Sequence, residues 1–187
     1  MANYCDSTYR ITGDASELDA LFALMQKLEK EKENGNWVGH IVDALNGSRP
    51  EYLYVRGWWD ELEREEDCIK FRLESAWEPL HEAWDFICTK FKTLKAYFIG
   101  EEPGCEVFLK RDNPEKGWFP DNYYVDACTP DEEYIHEYFT NIDEAFRFIE
   151  RISATNIITA ENVAALNLTW GEENENAYIY LHEFKEV

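Results

Sequence analysis

Five cysteines and four histidines are the side chains of this chain best suited to nucleophilic catalysis or to binding a soft metal ion. The cysteines are dispersed and form no C-x-x-C pair, and the histidines have neither H-x-x-x-H nor H-E-x-x-H spacing. Scattered cysteines of odd number are typical of a reducing compartment, where they pack as small apolar residues. The spacing therefore predicts no metal site and no disulfide framework.

Catalysis by a serine or cysteine requires a base beside the nucleophile, and no local signature such as G-x-S-x-G is present. The glycine-rich loops that cradle phosphates, G-x-G-x-x-G and G-x-x-x-x-G-K-[ST], are also missing from the sequence. We predict no catalytic residue and no cofactor. One enzymatic alternative stays open, in which Cys5 or Cys68 acts together with a histidine.

The charge is strongly acidic, with 39 aspartates and glutamates against 18 lysines and arginines and a net charge of −21. Such a surface repels nucleic acid, so we expect no direct DNA or RNA binding. The pairs Tyr52/Tyr54 and Tyr178/Tyr180 are similar to base-stacking platforms, but those platforms need a positive groove. The charge serves either solubility or attraction of a protein with a basic surface, including mimicry of a phosphate array.

The first residues carry neither a basic segment nor an apolar stretch typical of a secretory signal, and no run approaches 18 apolar residues. These patterns predict a cytoplasmic protein without membrane contact. The oligomeric state is not specified by the sequence.

The stretch "GWWDELEREED" at residues 57–67 sets two tryptophans beside a run of carboxylates. Side chains alternate along a strand, so Trp58 and Trp59 are expected to face opposite sides of a sheet. One ring then joins the core, and the other is left beside the acidic residues. We predict a partner-binding surface here, and its candidate residues are Trp58, Trp59, Asp60, Glu61 and Glu63.

Periodicity predicts the order β-α-α-β-β-α-β over residues 4–100, with a strand at 51–59, a charged hairpin tip at 60–67 and a strand at 68–77. Asp14 and Glu17 resemble a capping box at the start of the first helix. This order is the split βαβ pattern of a ferredoxin-like fold, an antiparallel sheet with helices on one face. We predict an α+β protein with a ferredoxin-like domain at residues 1–111. An acidic β-α-α-β extension at residues 112–187 is expected to pack on it.

Two blocks of the sequence resemble the YubB-like (Api-type) ferredoxin-like proteins of plasmids, phages and gut-bacterial genomes. The opening "MANYCDSTYRITGD" is similar to the family's M-P-N-W-C start, and "ESAWEPL" is similar to its T-A-W-x-P-P core. The resemblance covers residues 1–111 and implies the ferredoxin-like fold and a mobile-element or gut-bacterial setting, without an assigned activity. The matching positions, which we expect to be structural, include Asn3, Tyr4, Cys5, Gly13, Ser75, Trp77 and Pro79.

Three functions are compatible with these patterns, in decreasing order of support. The first is a non-enzymatic interaction protein whose partner has a basic surface. The second is an acidic DNA mimic that binds a nucleic-acid-handling protein of the host. The third is the small cysteine- and histidine-dependent enzyme.

Overall fold

The structure is a computed structural model that describes residues 3–187. The chain forms two compact units, one of residues up to Phe119 together with Val187, and one of residues 120–186. Both units mix helices and strands, as the predicted α+β class requires.

The boundary between the units lies at 119/120 and not at the predicted 111/112. Residues 112–119 remain with the first unit because the aromatic side chain of Trp118 is held there. Its ring lies 5.1 Å from the guanidinium of Arg10 and meets the ring of Tyr97 edge-on at 5.9 Å. These contacts of Trp118 keep the segment with the first unit, although its composition is mostly polar.

The first unit contains five strands, three α-helices and a 3₁₀ turn at Pro103–Cys105 in its described residues. In chain order they are β1 (Tyr4–Thr12), α1 (Ala15–Glu31), α2 (Val38–Asn46), β2 (Gly57–Arg64), β3 (Cys68–Ala76), α3 (His81–Cys88), β4 (Lys95–Glu102) and β5 (Val107–Arg111). These strands lie side by side in the order β2-β3-β1-β4-β5, and neighbouring strands are antiparallel. The predicted order of elements over residues 4–100 agrees with this arrangement.

The core of the first unit lies between one face of this sheet and helices α1, α2 and α3. Tyr9 stands at its centre and is completely buried. Its ring stacks at 5.3 Å on both Phe71 and Phe98, which neighbour it on β3 and β4, and Trp84 of α3 covers the group at 5.7 Å. Alternation along β1 therefore builds an aromatic core, as a half-buried strand requires.

Helix α1 begins after Asp14 as predicted, but the predicted capping box is wrong. The Asp14 side chain makes no capping hydrogen bond. The carboxylate of Glu17 instead accepts the backbone N–H groups of Lys92 and Thr93, at 2.9 and 2.8 Å. The acidic residue at the helix start therefore fixes a loop from the other end of the unit, a partner that local spacing cannot reveal.

Replacing Gly13 by alanine is expected to destabilise the first unit by about 2–4 kcal/mol. Gly13 has φ +154°, and a Cβ there would lie 2.6 Å from Leu94 Cδ2 and 3.1 Å from the Thr93 carbonyl carbon. Gly47→Ala is the matched control, because Gly47 also has a positive φ of 81° but open space around it, so only about 1–2 kcal/mol is expected. Urea unfolding followed by circular dichroism measures both. Equal losses would show that backbone conformation, and not the contact with Thr93 and Leu94, requires Gly13.

Strand β2 differs from the predicted hairpin. It runs from Gly57 to Arg64, whereas residues 51–56 form a turn and irregular chain despite their strand-like composition. A β-bulge between Asp60 and Glu63 accommodates the acidic run within the strand, and Glu61 has a positive φ of 49°. The hairpin tip is therefore residues 65–67 rather than 60–67.

The second unit contains β6 (Tyr123–Cys128), β7 (Tyr134–Phe139), α4 (Ile142–Ser153), α5 (Ala160–Glu173), β8 (Tyr178–Glu183) and the short β9 (Lys185–Glu186). Its sheet has the order β7-β6-β8, with antiparallel neighbours. Asn141 caps the start of α4, since its Oδ1 accepts the Glu144 N–H at 3.0 Å. Thr159 and Asn162 form a capping box at the start of α5.

One face of the second sheet packs against helices α4 and α5. Val125, Ala127 and Ile179 on that face join apolar residues of α4 and α5 in a buried cluster that includes Ile149 and Trp170. The other face carries tyrosines and histidines. Within residues 3–187, no helix has the length and apolar character needed to cross a bilayer.

Candidate functional site

The two tryptophans of the predicted partner-binding surface face opposite sides of the first sheet. Trp59 is completely buried, and its indole N–H donates to Glu29 Oε1 at 2.7 Å. Trp58 is half-buried and lies opposite Glu74 of β3. Trp59 is thus a core residue, and a partner at this stretch could reach only the ring of Trp58.

The carboxylates beside Trp58 lie next to cations of the same sheet. Asp60 is directly opposite Arg72 on β3, and Glu63 Oε2 lies 3.6 Å from Lys70 Nζ. The bulge turns Glu61 out of the regular register. This stretch therefore offers one partly exposed ring beside three carboxylates, of which Glu63 pairs with a cation, and its role in partner binding stays a prediction.

Most positions of the two sequence motifs lie together at one end of the first sheet, whereas Gly13 follows the opposite end of β1. Tyr4 pairs with Ala76 across β1 and β3, and the Asn3 carbonyl accepts the Trp77 N–H at 3.0 Å. Ser75 Oγ donates to the Glu78 carbonyl at 2.8 Å, which fixes the turn towards Pro79. These are contacts within the fold, in keeping with the structural role expected for both motifs.

The two candidate nucleophiles, Cys5 and Cys68, are buried thiols whose contacts do not include a histidine. Burial raises the pKa of Cys5 to about 12, and its sulfur lies 3.6 Å from Ser7 Oγ. Burial also raises the pKa of Cys68 to about 11, and its sulfur lies within hydrogen-bonding distance of Glu65 and Arg10. Both thiols are protonated at neutral pH and contact groups other than histidine, so neither is prepared for nucleophilic attack.

Glu65, Asp67 and Cys68 bring two carboxylate oxygens and a sulfur within 4.8 Å of one another. Two cations already occupy this cluster. Arg10 contacts Glu65 at 2.5 Å, and Lys116 contacts Asp67 at 2.7 Å. A divalent ion would have to displace both cations and deprotonate Cys68, so this chemistry favours an ion-pair network over a metal centre.

The negative charge is concentrated in the second unit. Residues 120–186 contain 15 acidic and 3 basic side chains, a net charge of −12, whereas residues 1–119 contain 24 and 15, a net charge of −9. Carboxylates of the first unit are also paired internally. Such pairs are Arg64–Asp19, Arg72–Asp6, Arg111–Asp85, Arg10–Glu65 and Lys116–Asp67.

A polar network occupies the helix-free face of the second sheet. His136 Nδ1 lies 2.9 Å from the Tyr124 hydroxyl and 3.3 Å from Asp126 Oδ1. The Tyr178 hydroxyl donates to the same carboxylate at 3.2 Å, and burial together with the charge of Asp126 raises the pKa of Tyr178 to about 12. Tyr180 stacks on Tyr178 at 5.6 Å and is half exposed. These contacts fix the orientation of the Tyr124, His136 and Tyr178 rings around the carboxylate of Asp126.

An open groove of about 880 Å³ lies beside β7 in the second unit. Its apolar lining comes from β7, α4 and α5 and consists of Ile135, Phe148, Ile152, Leu166 and Trp170. Its acidic lining consists of Asp131, Glu133, Glu137 and Glu173, all exposed, and no lysine or arginine is among the described residues that line it. Tyr134 at the groove has 68% of its surface exposed. The groove therefore combines apolar contact area with concentrated negative charge.

Sequence reasoning missed this groove because its parts meet only through packing. Strand register brings His136 beside Asp126, and the packing of α4 and α5 brings Trp170 close to β7. The available signals were the excess of acid after residue 125 and the unusual run "YIHEYF", in which one series of alternate positions is Tyr, His, Tyr and the other is Ile, Glu, Phe. Together they indicate a strand whose two faces are both unsuited to full burial.

Comparison with protein-family models, curated proteins and solved structures found no match.

Proposed function

We propose that the chain is a non-enzymatic interaction protein that binds a partner with a basic surface through its second unit. The observation that carries this proposal is the groove beside β7, where exposed carboxylates surround an apolar lining. Interfaces need desolvated apolar contact for affinity, and complementary charge adds specificity and association rate. The buried, protonated thiols of Cys5 and Cys68 support the choice of binding over catalysis.

We also propose that the first unit is a ferredoxin-like domain related to the YubB-like proteins of mobile elements and gut bacteria. The strand order β2-β3-β1-β4, with α1, α2 and α3 on one face, supports the split βαβ arrangement. The pairing of Tyr4 with Ala76 supports a common structural purpose for the two motifs. Five free thiols, four of them buried, support a reducing compartment such as the cytoplasm.

The proposal predicts that neutralising the groove abolishes specific binding. The immobilised chain is used to capture proteins from a bacterial lysate, in parallel with a groove variant. This variant carries Asp131→Asn, Glu133→Gln, Glu137→Gln and Glu173→Gln, so its net charge rises by four. We expect captured proteins with a basic surface, whose recovery falls at least about tenfold with the groove variant, because loss of charge pairs at an interface weakens binding by this order.

A charge-matched control separates the groove from general electrostatics. The control variant carries Glu132→Gln, Glu172→Gln, Glu175→Gln and Glu183→Gln, four exposed positions of the same unit outside the groove lining. Recovery should remain within about twofold of the parent, since screened surface charges contribute little individually. If both variants lose the captured proteins equally, the groove has no specific role. If the parent protein captures nothing basic, the proposal is wrong.

A further inference from the structure

The outer edge of β7 exposes backbone groups that no strand covers within the second sheet. β7 is an edge strand in the order β7-β6-β8. The Thr129 N–H donates to the Glu133 carbonyl at 2.9 Å, which sets the alternation of the antiparallel ladder. Residues 135 and 137 then bond to β6, while the N–H and C=O groups of Tyr134 and His136 point away from it. Among the described residues, no hydrogen bond to these outward backbone groups is present.

The opposite edge of the same sheet is protected. Asn167 of α5 places its Oδ1 2.8 Å from the outward N–H of Ile179 on β8, and thereby occupies the donor that an added strand would use. Natural edge strands are commonly blocked in this way, because open edges pair with other chains. The two edges therefore differ, and only that of β7 adjoins the acidic groove.

The chemistry of the groove specifies what could pair with this edge. An added strand along β7 would direct alternate side chains towards the apolar lining, where Ile135 and Trp170 lie. Glu133 and Glu137 flank Ile135 at alternate positions, so their carboxylates lie on the same side of β7 as the apolar lining. An extended segment whose groove-facing positions, every second residue, include both Lys or Arg and apolar residues satisfies the backbone groups, the apolar lining and the charge together.

We propose that β7 binds an extended, basic peptide segment of a partner protein as an additional antiparallel or parallel strand. This inference rests on the proposed function and adds the mode of binding and the chemistry of the segment. Main-chain hydrogen bonds supply affinity in such β-strand addition, and pockets for alternate side chains supply specificity. The exposed ring of Tyr134 lies at the groove and contributes contact area.

The test uses the full chain and a displayed library of random peptides. We expect enriched sequences in which one series of alternate positions contains both Lys or Arg and β-branched or aromatic residues, because Glu133, Ile135 and Glu137 share one face. One enriched peptide is then synthesised and titrated against the parent chain, Tyr134→Pro and Tyr134→Thr by isothermal titration calorimetry. Proline removes the outward N–H without removing a bond to β6, and edge strands tolerate it. We expect at least about tenfold weaker binding to Tyr134→Pro and a change below about threefold for Tyr134→Thr, since loss of one interfacial backbone bond costs this order.

A second measurement keeps the test valid if Tyr134→Pro does not fold, which circular dichroism reveals. Two versions of the enriched peptide are synthesised. One is N-methylated at the odd-numbered positions and the other at the even-numbered positions, so that each version loses the N–H groups of one edge of the added strand. Both versions are titrated against the parent chain. Binding should be lost for one version and kept for the other, because only one edge of an added strand faces β7. Equal effects of the two versions, equal affinities of the two Tyr134 variants, or enrichment of peptides without basic residues would overturn strand addition. If lysate proteins are still captured through the groove carboxylates by Tyr134→Pro, the proposed function stands and only the strand-addition mode fails.

Discussion

Replacing Trp59 by alanine should lower the free energy of unfolding of the first unit by about 3–5 kcal/mol, the usual loss when a buried large aromatic ring is removed. Trp59 is completely buried, and truncation also leaves the Glu29 carboxylate without the indole donor that lies 2.7 Å away. Trp58 is half-buried on the opposite face of β2, so Trp58→Ala should cost about 1 kcal/mol. Urea unfolding followed by circular dichroism measures both variants without relying on tryptophan fluorescence.

Trp59→Phe separates packing from hydrogen bonding in the same experiment. Phenylalanine keeps most of the apolar contact and loses the N–H, so a loss of about 1–3 kcal/mol is expected. A larger loss of unfolding free energy for Trp58→Ala than for Trp59→Ala would contradict this assignment, because it would make Trp58 and not Trp59 the core residue. Because a shift of one residue in strand register exchanges the two faces, that result would require a different pairing of β2 with β3.

The order of elements in the first unit could be predicted because it depends on local patterns. Alternation marks β1, helical periodicity marks α1, and Gly47 ends α2 in the left-handed conformation that glycine favours. The Asn141 cap of α4 is equally local. Each of these features is set by interactions within a few residues of the chain.

The limits of β2 could not be predicted because they depend on its partner. Residues 51–56 have strand-like composition, yet the ladder with β3 begins at Gly57 opposite Ser75. A Cβ at Gly57 would approach Leu80 and Ser75 within 3.0 Å, so glycine permits close packing at this point. Tertiary pairing here overrides intrinsic propensity, as is common for strands.

The candidate site was harder to predict than the order of elements, because it also depends on which residues tertiary packing brings together. The sequence drew attention to Trp58 and Trp59 because two large rings adjoin an acidic run. The structure uses one of those rings in the core and places nearby carboxylates beside cations such as Lys70. In the second unit acidic side chains outnumber basic ones fivefold, so most carboxylates cannot form an ion pair within the unit. The composition of the sequence was the one signal that pointed to this unit.

Thiol reactivity should divide the five cysteines into one accessible group and four protected ones. Cys105 is exposed, whereas the other four are buried. Burial raises the pKa of Cys5 and of Cys88 to about 12 and that of Cys68 to about 11. At about pH 8 their thiolate fractions are lower than that of an ordinary thiol by roughly a hundredfold or more, and only the thiolate attacks a disulfide reagent.

The measurement is the time course of labelling by a chromogenic disulfide reagent, with the modified residues identified by peptide mass mapping. One thiol should react in the native protein and all five after denaturation in guanidinium chloride. A hydrogen bond to Glu102 raises the pKa of Cys105, so even this thiol should react more slowly than free cysteine. Cys105→Ser should remove the native-state reaction and leave the four others unchanged.

This experiment also decides between binding and cysteine-dependent catalysis. A catalytic thiol needs a lowered pKa and access to substrate, and both produce fast labelling in the native state. Rapid modification of Cys5 or Cys68 would contradict their burial and return the enzymatic alternative to consideration. Slow modification of both, with prompt labelling of Cys105, leaves no nucleophilic cysteine among the two candidates. The function of the chain would then depend on surface charge and exposed backbone, the features that a binding protein uses.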